Sequence, residues 1–316
     1  MVLSTWQLFV TFLTTTVSAF LITPLFRALA RAKGVLDYPG GRKHQRKPVP
    51  YLGGLAIALP ISVASLTLLI SDIDSGVKSE IYFGLILPSV IIAGVGLLDD
   101  IYELSPKVRF ISQSIVGLIT SLLLFINGTG VEILNNPLFN GLLTSLWVVG
   151  IINAVNFIDN MDGLATGVAI IASIAFFVIS FNNGQYLVAA LSVALAGSCT
   201  GFIFWNKKPA SIYLGDAGAL YIGFLLAAIS IRIDINQLPQ IDRIFIPILI
   251  LIIPFIDTTQ VVISRIYRGK SPFQGGRDHI SHLLLDKGLS EKKVVITIWS
   301  FAIIFAAVAI YLSKSI

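Results

Sequence analysis

Apolar and polar positions along this chain follow a coarse pattern, in which long uncharged stretches alternate with short polar segments. No charged residue occurs within residues 4–26, 52–71, 81–98, 110–131 or 133–158. Each run is close to the roughly 20 mostly apolar residues that a helix needs to cross the hydrocarbon core of a bilayer. Because lipid offers no partner to backbone N–H and C=O groups, such continuous runs predict membrane-spanning helices. The alternating strands of a membrane β-barrel have a different pattern.

A scan for apolar segments, with a window of about 19 residues, predicts an all-α polytopic bundle with ten membrane-spanning helices. The predicted spans lie near residues 5–26, 52–70, 81–98, 110–126, 138–156, 163–181, 186–205, 216–231, 244–264 and 294–313. The connecting segments fall on two sides of the membrane, and one side carries 18 of the 22 Lys and Arg residues. Basic loops remain in the cytoplasm, so this asymmetry predicts that the basic side is cytoplasmic and that both termini lie outside.

The composition agrees with this pattern and excludes an ordinary soluble enzyme. Of the 316 residues, 55% are apolar and 12% are charged, whereas soluble domains are about 25% charged. The single cysteine, Cys199, allows no intrachain disulfide. The first basic residue is Arg27, after the first apolar run, so we expect this run to be retained and not cleaved as a signal peptide. No repeat or linker divides the chain, and residues 1–316 are expected to form one domain.

Acidic residues are clustered at the predicted cytoplasmic ends of the spans. The clustered residues are Asp99, Asp100, Asp159, Asp162 and Asp216. The first four follow the C-terminal ends of apolar spans, where the helix macrodipole favours cations by about 0.3–1 kcal/mol. Solvation at the membrane interface is the simpler explanation for a single pair. Here two pairs of aspartates both lie at helix C-termini, where their charge is unfavourable, and this repetition indicates a functional site.

The spacing within these clusters indicates how the carboxylates are used. Asp99 and Asp100 are about 100° apart on a helix, so we expect them to have two different roles. If the fifth helix continues through its polar end, Asn156, Asp159 and Asp162 share one broad face and offer three oxygen ligands. Oxygen-rich clusters without cysteine suit a hard cation, and Mg²⁺ usually binds through one or two carboxylates together with substrate phosphates.

Two histidines, His279 and His282, lie in a long basic loop near the C-terminus. Zinc is a weak alternative to Mg²⁺, because no third nitrogen or sulfur ligand is near them in the sequence. The same loop contains basic residues and glycines, namely Arg265, Arg268, Lys270, Arg277, Gly269, Gly275 and Gly276. Forked guanidinium donors and close backbone approach suit a diphosphate. Topology and lipid headgroups explain a basic loop in general but not its histidines.

The first cytoplasmic loop is also basic and contains the tract RKHQRK at residues 42–47. Nucleic-acid binding is one interpretation of such a tract. Beside a bilayer, however, a basic tract more often meets anionic lipid or a phosphorylated ligand. We therefore expect no nucleic-acid partner, and the net charge of +5 reflects the sidedness of the membrane protein.

Five motifs in this order resemble the polyprenyl-phosphate N-acetylhexosamine-1-phosphate transferases, glycosyltransferase family 4. The motifs are KPVPYLGG, LLDDIYELSPKVRF, NAVNFIDNMDGLA, WNKKPASIYLGDAG and PFIDTTQVVISRIYRGKSPFQGGRDHISH. Members of this family move a sugar-1-phosphate from a UDP-sugar onto a lipid-carrier phosphate and release UMP. The resemblance implies a ten- or eleven-helix bundle in the plasma membrane with its active site on the cytoplasmic face. It also implies Mg²⁺ as cofactor, with Mn²⁺ as a substitute, and undecaprenyl phosphate, a UDP-sugar and membrane lipid as partners. A homodimer is left open.

The resemblance assigns roles to individual residues. Asp216 and Asn156 would ligate the metal, and Asp99, Asp100 and Lys107 would act at the lipid phosphate and the diphosphate. The nucleotide would contact Asp159, Asp162 and Asn206. The phosphate and sugar would contact Arg268, His279, His282 and one of the neighbouring pair Arg46 and Lys47.

This sequence departs from the family pattern in two places. Asn160 stands where the family often has Gly, and Asn tolerates the left-handed backbone conformation. The last motif has His279 and His282 followed by Leu283, whereas the branch that uses a UDP-muramyl-pentapeptide donor has three histidines. The resemblance therefore implies UDP-N-acetylglucosamine as donor, in the first lipid-linked step of a cell-surface glycan such as lipopolysaccharide or teichoic acid. A lipid phosphate with a second pKa of about 6 is already largely ionised, which favours direct attack over a covalent intermediate.

Two other functions were weighed against this one. A secondary transporter would bind its solute near the membrane midplane, and Asp257 is the ionisable residue farthest from a span end, about 12 Å along a helix from Arg265. The motif DNMDGLAT partly resembles that of the CDP-alcohol phosphatidyltransferases. It lacks the Arg and the later aspartates of that motif, which argues against this class.

Overall fold

The computed structural model describes residues 3–39, 47–71, 85–126, 136–235, 240–271 and 276–314. Within these residues the chain forms twelve helices and two short strands. The helices are α1 (Thr5–Lys33), α2 (Gly53–Ser71), α3 (Leu87–Tyr102), α4 (Pro106–Ile126), α5 (Pro137–Ile158), α6 (Leu164–Asn182), α7 (Tyr186–Asn206), α8 (Gly215–Arg232), α9 (Gln240–Ile250), α10 (Ile252–Tyr267), α11 (Ile280–Asp286) and α12 (Glu291–Leu312). The strands β1 (Leu36–Asp37) and β2 (Val49–Pro50) pair antiparallel, with Leu36 opposite Pro50.

Six of the described helices are long and apolar enough to cross a membrane, and a bent pair would make a seventh span. The six are α1, α5, α6, α7, α8 and α12. Large apolar side chains such as Trp6, Leu25 and Phe301 are exposed on the outside of the bundle, as expected where lipid covers them. The structure therefore confirms the predicted all-α membrane bundle. The number of ten spans and the location of the termini stay predictions.

Helix α8 lies at the centre of the bundle. Most of its residues are buried, whereas few of those of α1 are. It packs against α2, α3 and α5 through glycines. A Cβ atom at Gly54 would lie 2.1 Å from the backbone nitrogen of Gly218, and one at Gly96 would lie 2.5 Å from the backbone nitrogen of Ala217. Small residues thus let the backbones of α2 and α3 meet that of α8, as is common in membrane bundles.

The predicted ninth span, residues 244–264, was wrong as a single straight helix. Helices α9 and α10 meet at Leu251 with a bend of 79°. Pro254 lies in the first turn of α10. Proline has no N–H to donate, and its ring clashes with the carbonyl of the fourth residue before it, so a continuous helix is broken at this point.

Helix α5 ends at Ile158, and the chain leaves the helix at Asp159. The expected common helical face of Asn156, Asp159 and Asp162 was therefore wrong. A turn follows in which Gly163 has a φ of +75°, and α6 begins at Leu164. This turn still brings all three side chains to one cavity, by a different path from a continued helix.

Candidate active site

A cavity of about 880 Å³ opens where the ends of α5, α7 and α8 meet the β1–β2 hairpin and α11. Seven of the residues selected from the sequence line it: Lys47, Asn156, Asp159, Asp162, Asn206, Asp216 and His282. They come from segments far apart in the chain. The fold thus gathers the carboxylates, a basic residue and a histidine around one space.

Asp216 and Asn156 are in direct contact at the wall of this cavity. The Nδ2 atom of Asn156 donates a hydrogen bond to Oδ1 of Asp216 at 2.5 Å. Asn156 lies in the last turn of α5, and Asp216 lies in the first turn of α8. The contact joins two ends of neighbouring helices that both point to the cavity.

Asp100 is bound to the backbone at the start of α8. Its carboxylate accepts hydrogen bonds from the amides of Asp216, at 2.7 Å, and Ala217, at 3.1 Å. These are among the free amides of a helix N-terminus, which favour a negative charge. Gly215 allows the approach, because its φ is +74° and a Cβ there would lie 2.6 Å from Oδ2 of Asp100. Asp100 therefore fixes the position of the helix that carries Asp216.

Asp99 faces in another direction and binds Arg109 of α4. Its Oδ2 lies 2.6 Å from Nε of Arg109, and its Oδ1 accepts from Nη2 of Arg109 at 3.2 Å and from the amide of Leu104 at 2.8 Å. Nη1 of Arg109 also reaches Oδ2 of Asp216 at 3.6 Å. Asp99 and Asp100 thus have different partners, as their spacing on a helix predicts. Their roles at a lipid phosphate stay predictions.

Asp159 and Asp162 occupy the turn after α5. Oδ2 of Asp162 accepts a hydrogen bond from the amide of Ala210 at 2.9 Å, which ties this turn to the segment between α7 and α8. Burial and the negative charges of Asp216, Asp100 and Asp162 raise the pKa of Asp159 to about 8. Burial is the larger cause of this shift, and the neighbouring carboxylates add to it.

Asn206 is buried at the end of α7. Its Oδ1 accepts a hydrogen bond from the hydroxyl of Thr166 at 2.8 Å, and its Nδ2 donates to the carbonyl of Ile212 at 3.2 Å. Both polar groups of the side chain are thus bonded within the protein. Asn206 lines the cavity and also shapes the segment that leads to Asp216.

The histidine segment is held by buried ion pairs. Asp257 of α10 contacts Nδ1 of His279 through Oδ2 at 2.8 Å and accepts the amide of Ile280 on Oδ1 at 2.8 Å. Next to it, Arg265 donates from Nε and Nη2 to the two oxygens of Asp278 at 2.8 and 2.9 Å. These hydrogen bonds keep the pKa of Asp278 below its usual value. Asp257 therefore belongs to the support of the histidine segment.

His282 lines the cavity, and its Nδ1 atom is buried without a hydrogen-bond partner among the described residues. Burial, together with the positive charges of His279 and Arg277, lowers the pKa of His282. The rings of His279 and His282 meet edge to face with centroids 6.0 Å apart. Asn160 holds the same segment, since the hydroxyl of Ser281 donates to its Oδ1 at 2.6 Å.

The structure does not bring every predicted residue to the cavity. Lys107 and Arg268 are exposed, whereas Asp99, Asp100 and His279 are bonded to neighbouring parts of the protein. None of these five residues is among those that line the cavity. Arg46 lies outside the described residues, whereas Lys47 lines the cavity. Of that neighbouring pair, Lys47 is thus the one whose position the structure shows.

Some site residues were missed by reasoning from the sequence. Arg109 was counted only as a basic residue of a cytoplasmic segment, although it lies in the same motif as Asp99. The rings of Tyr51 and Tyr213, tilted at 53° with centroids 6.0 Å apart, line the cavity. Burial and nearby carboxylates, Asp37 for Tyr51 and Asp162 for Tyr213, raise the pKa of both phenols. Tyr51 lies within the motif KPVPYLGG and Tyr213 within WNKKPASIYLGDAG, but no periodicity marks them as a pair.

The donor set was tested for a bound cation. Among the described residues, no three His, Cys, Asp or Glu side chains are close enough to enclose a metal ion by themselves. Asp216 and Asn156 offer a carboxylate and an amide oxygen, once the amide of Asn156 is turned; the assignment of its O and N atoms is inferred from the hydrogen bond. Such a sparse oxygen set fits Mg²⁺, which takes its other ligands from water and substrate phosphates.

Comparison with known proteins shows the family of this chain. Residues 82–234 match the family described as "Glycosyl transferase family 4". The "Probable undecaprenyl-phosphate N-acetylglucosaminyl 1-phosphate transferase" of Bacillus subtilis (strain 168) is 34% identical over 98% of this chain and 86% of its own. The "Decaprenyl-phosphate N-acetylglucosaminephosphotransferase" of Mycolicibacterium smegmatis (strain ATCC 700084 / mc(2)155) is 32% identical over 93% of this chain and 79% of its own.

Relatives of a second kind are nearly as similar. The "Phospho-N-acetylmuramoyl-pentapeptide-transferase" of Geobacillus kaustophilus (strain HTA426) is 31% identical over 96% of this chain and 95% of its own. The apolar helices and these relatives together define a multi-pass membrane transferase. The chain belongs to glycosyltransferase family 4.

The transporter alternative has no support from these findings. It depended on Asp257 as a free ionisable group near the membrane midplane. The side chain of Asp257 is bonded to His279 and Ile280, and the relatives reported above are transferases.

Proposed function

We propose that this protein transfers N-acetylglucosamine-1-phosphate from UDP-N-acetylglucosamine to undecaprenyl phosphate and releases UMP. The observation that carries the proposal is the contact between Asp216 and Asn156 at the wall of a cavity that also holds Lys47, His282 and an aromatic pair. This combination offers a cation site, phosphate-binding groups and flat faces for a base within one space.

The cation site is proposed to take Mg²⁺, for which Mn²⁺ can substitute. Asp216 and Asn156 would hold it, and the carboxylates around them make the cavity strongly negative. A diphosphate is itself an anion, so it needs a cation in order to bind there. When bound, Mg²⁺ neutralises charge on the phosphate oxygens as the transferred group changes partners.

The protein's own residues then bind and orient the donor. The rings of Tyr51 and Tyr213 offer faces on which a uracil base can stack. Asp159 and Asp162 line the cavity and would offer hydrogen-bonding groups to the nucleoside. Asn206, whose own polar groups are bonded within the protein, would shape the wall of the cavity. Lys47 and His282 would contact phosphate or sugar oxygens.

The transfer step needs little covalent work by the protein. An oxygen of the carrier phosphate forms a bond to the β-phosphorus of the donor, and the bond from that phosphorus to the bridging oxygen breaks. The electron pair leaves with UMP. The attacking phosphate is already ionised at neutral pH, so no base is required. Positioning and charge neutralisation supply the rate enhancement. Asp100 contributes by fixing the helix that carries Asp216.

The choice of N-acetylglucosamine rests on two observations. The last motif has two histidines, His279 and His282, with Leu283 in place of a third. Two of the relatives reported above are N-acetylglucosamine-phosphate transferases by name, whereas another acts on a phospho-N-acetylmuramoyl-pentapeptide. The donor would therefore be UDP-N-acetylglucosamine, in the first lipid-linked step of a cell-surface glycan.

The proposal is tested by measuring UMP release from a panel of UDP-sugars, with undecaprenyl phosphate as acceptor, in detergent or nanodiscs. We expect release from UDP-N-acetylglucosamine and its loss on addition of a chelator. Asp216→Asn should abolish release. Asp234→Asn, an exposed acid beyond the opposite end of α8, should retain it. Release from UDP-N-acetylmuramoyl-pentapeptide alone would overturn the choice of donor.

The membrane arrangement that accompanies this function is ten spans in the plasma membrane, with the site in the cytoplasm and both termini outside. It can be tested with single cysteines placed at Lys287, beside the site, and at Lys314, beyond α12, in a Cys199→Ala background. A membrane-impermeant maleimide added to intact cells should label position 314 and spare position 287. The reverse result would invert the topology.

A further inference from the structure

Asp99 and Asp216 share one cation, Arg109, and hold it unequally. The side chain of Asp99 is 1% exposed, and its Oδ2 lies 2.6 Å from Nε of Arg109. The side chain of Asp216 is 26% exposed, and its Oδ2 lies 3.6 Å from Nη1 of the same guanidinium. One end of the guanidinium is therefore buried and tightly bound, and the other end is loosely bound where solvent can enter.

The buried end is held by two hydrogen bonds to Oδ1 of Asp99 and by a close ionic contact at Oδ2. Oδ1 accepts from the amide of Leu104 and from Nη2 of Arg109, and Oδ2 lies against Nε. A buried carboxylate that lost its cation would be strongly destabilised. Arg109 is therefore expected to stay on Asp99 throughout any change in the site.

The outer end is free to move at little cost. Ion pairs that solvent reaches contribute little to stability, and a contact of 3.6 Å is long for a charge-assisted hydrogen bond. Among the described residues, Arg109 is the cation that is paired with the carboxylates of Asp99 and Asp216. A divalent cation on Asp216 would repel the guanidinium and take its place as the counter-charge.

We propose that Arg109 is the resident counter-ion of the site, which balances Asp216 in the protein alone and releases it when a divalent cation binds. The inference rests on the proposed metal site of the transferase. When Nη1 leaves Asp216, the hydrogen bond of Nη2 and the close contact of Nε still hold the guanidinium on Asp99. Nη1 then offers a hydrogen-bond donor to a phosphate oxygen at the edge of the cavity. Arg109 thus acts as a positioning residue that exchanges a carboxylate for substrate phosphate.

The inference is tested by titrating the purified full-length protein with Mn²⁺ in the absence of any substrate. The electron paramagnetic resonance signal of free Mn²⁺ gives the Kd. Removal of a competing cation should tighten binding, so Arg109→Gln should lower the Kd roughly three- to fivefold. Arg31→Gln, at the exposed end of α1, removes the same charge at a residue that does not line the cavity and should leave the Kd unchanged. Equal tightening in both variants, or no tightening in Arg109→Gln, would overturn the inference.

A double-mutant cycle separates the release from a general charge effect. Asp99→Asn removes the buried charge that binds Arg109, so Arg109 can pair fully with Asp216. This variant should therefore bind Mn²⁺ more weakly. In the Arg109→Gln background the same change should weaken it less. The double variant also leaves no unpaired buried charge, so it remains informative if Arg109→Gln alone fails to fold. An equal effect of Asp99→Asn in the two backgrounds contradicts the proposal.

The outcome can be distinguished from failure of the proposed transferase function. The inference is supported if Asp216→Asn removes Mn²⁺ binding and Arg109→Gln strengthens it. This holds even if no UDP-sugar releases UMP. If the wild type releases UMP but Arg109→Gln binds Mn²⁺ with the same Kd as the wild type, the inference is wrong and the proposed transferase function is unaffected. If Asp216→Asn does not affect Mn²⁺ binding, both the metal site and the counter-ion role fail.

Discussion

The side-chain carboxylate of Asp100 accepts a hydrogen bond from the backbone amide of Asp216, 116 residues later in the chain, at 2.7 Å. A carboxylate at the end of α3 thereby caps α8 and sets the direction in which Asp216 points. Asp100 is thus bound to the scaffold of the site, and its neighbour Asp99 is bound to Arg109. The acidic pair is held in place from two sides before any substrate binds.

Gly215→Ala should disrupt this contact. Gly215 and Gly34 have nearly the same left-handed φ, +74° and +72°, but a Cβ at Gly34 meets no atom within 4 Å. Both substitutions should lose about 1 kcal/mol of unfolding free energy from backbone strain. Gly215→Ala should lose more and should also reduce UMP release, because the new Cβ displaces Asp100. Thermal unfolding and UMP release of the two variants make the comparison, and equal losses would contradict the proposed role of the contact.

Gly54→Ala should loosen the centre of the bundle. Its Cβ would lie 2.1 Å from a backbone nitrogen of α8, which no side-chain rotation can relieve. We expect a loss of about 1–3 kcal/mol, as for other overpacked interiors. Gly94 is a helical glycine of α3 with nothing within 4 Å of its Cβ position, so Gly94→Ala should be tolerated. Thermal unfolding in detergent measures both, and a stable Gly54→Ala variant would show that the helices can separate without loss.

Asp257→Asn should weaken the hold on His279. A charge-assisted hydrogen bond between buried groups contributes about 1.5–3 kcal/mol, so UMP release should fall about tenfold or more. The chain has three histidines, which makes selective ¹⁵N labelling informative. His279 should carry its proton on Nδ1 in the wild type, because this nitrogen faces the carboxylate, and should lose that preference in the variant. Thr259→Ala, an exposed position on the same helix, serves as the control. An Nε2–H tautomer in the wild type would refute the assignment.

His282 should make the protein less stable in mild acid. Burial and its positive neighbours lower its pKa in the folded state, whereas the unfolded chain has the ordinary value of about 6.5. Below that value the unfolded state binds more protons at this position, so stability falls as pH decreases. The unfolding temperature of the wild type should therefore drop between pH 7 and pH 5 by more than that of His282→Gln. An equal drop in the two proteins would show that His282 does not contribute.

The course of the membrane helices could be predicted from the sequence because lipid imposes a simple requirement. A helix must be apolar over the thickness of the bilayer, so the charge-free runs predict α1, α5, α6, α7, α8 and α12. The bend between α9 and α10 was missed, since hydropathy does not reveal that Pro254 breaks the backbone there.

The candidate site was predictable as a set of residues but not as an arrangement. Motif order and residue type selected Asp99, Asp100, Asn156 and Asp216. They did not show that Asn156 touches Asp216, or that Arg109 lies between Asp99 and Asp216. Asp257 looked like an isolated charge within a span, and only its contact with His279 reveals what it does.

The sequence by itself determined that this is a membrane bundle with acidic clusters at its helix ends, because apolar length and residue type act locally along the chain. The tertiary structure decided which carboxylates are bonded to the scaffold and which face the cavity. That choice depends on how far each helix is rotated and how closely the helices approach. Those quantities are set by contacts between distant segments, such as Gly96 against Ala217, and no periodicity along one helix encodes them.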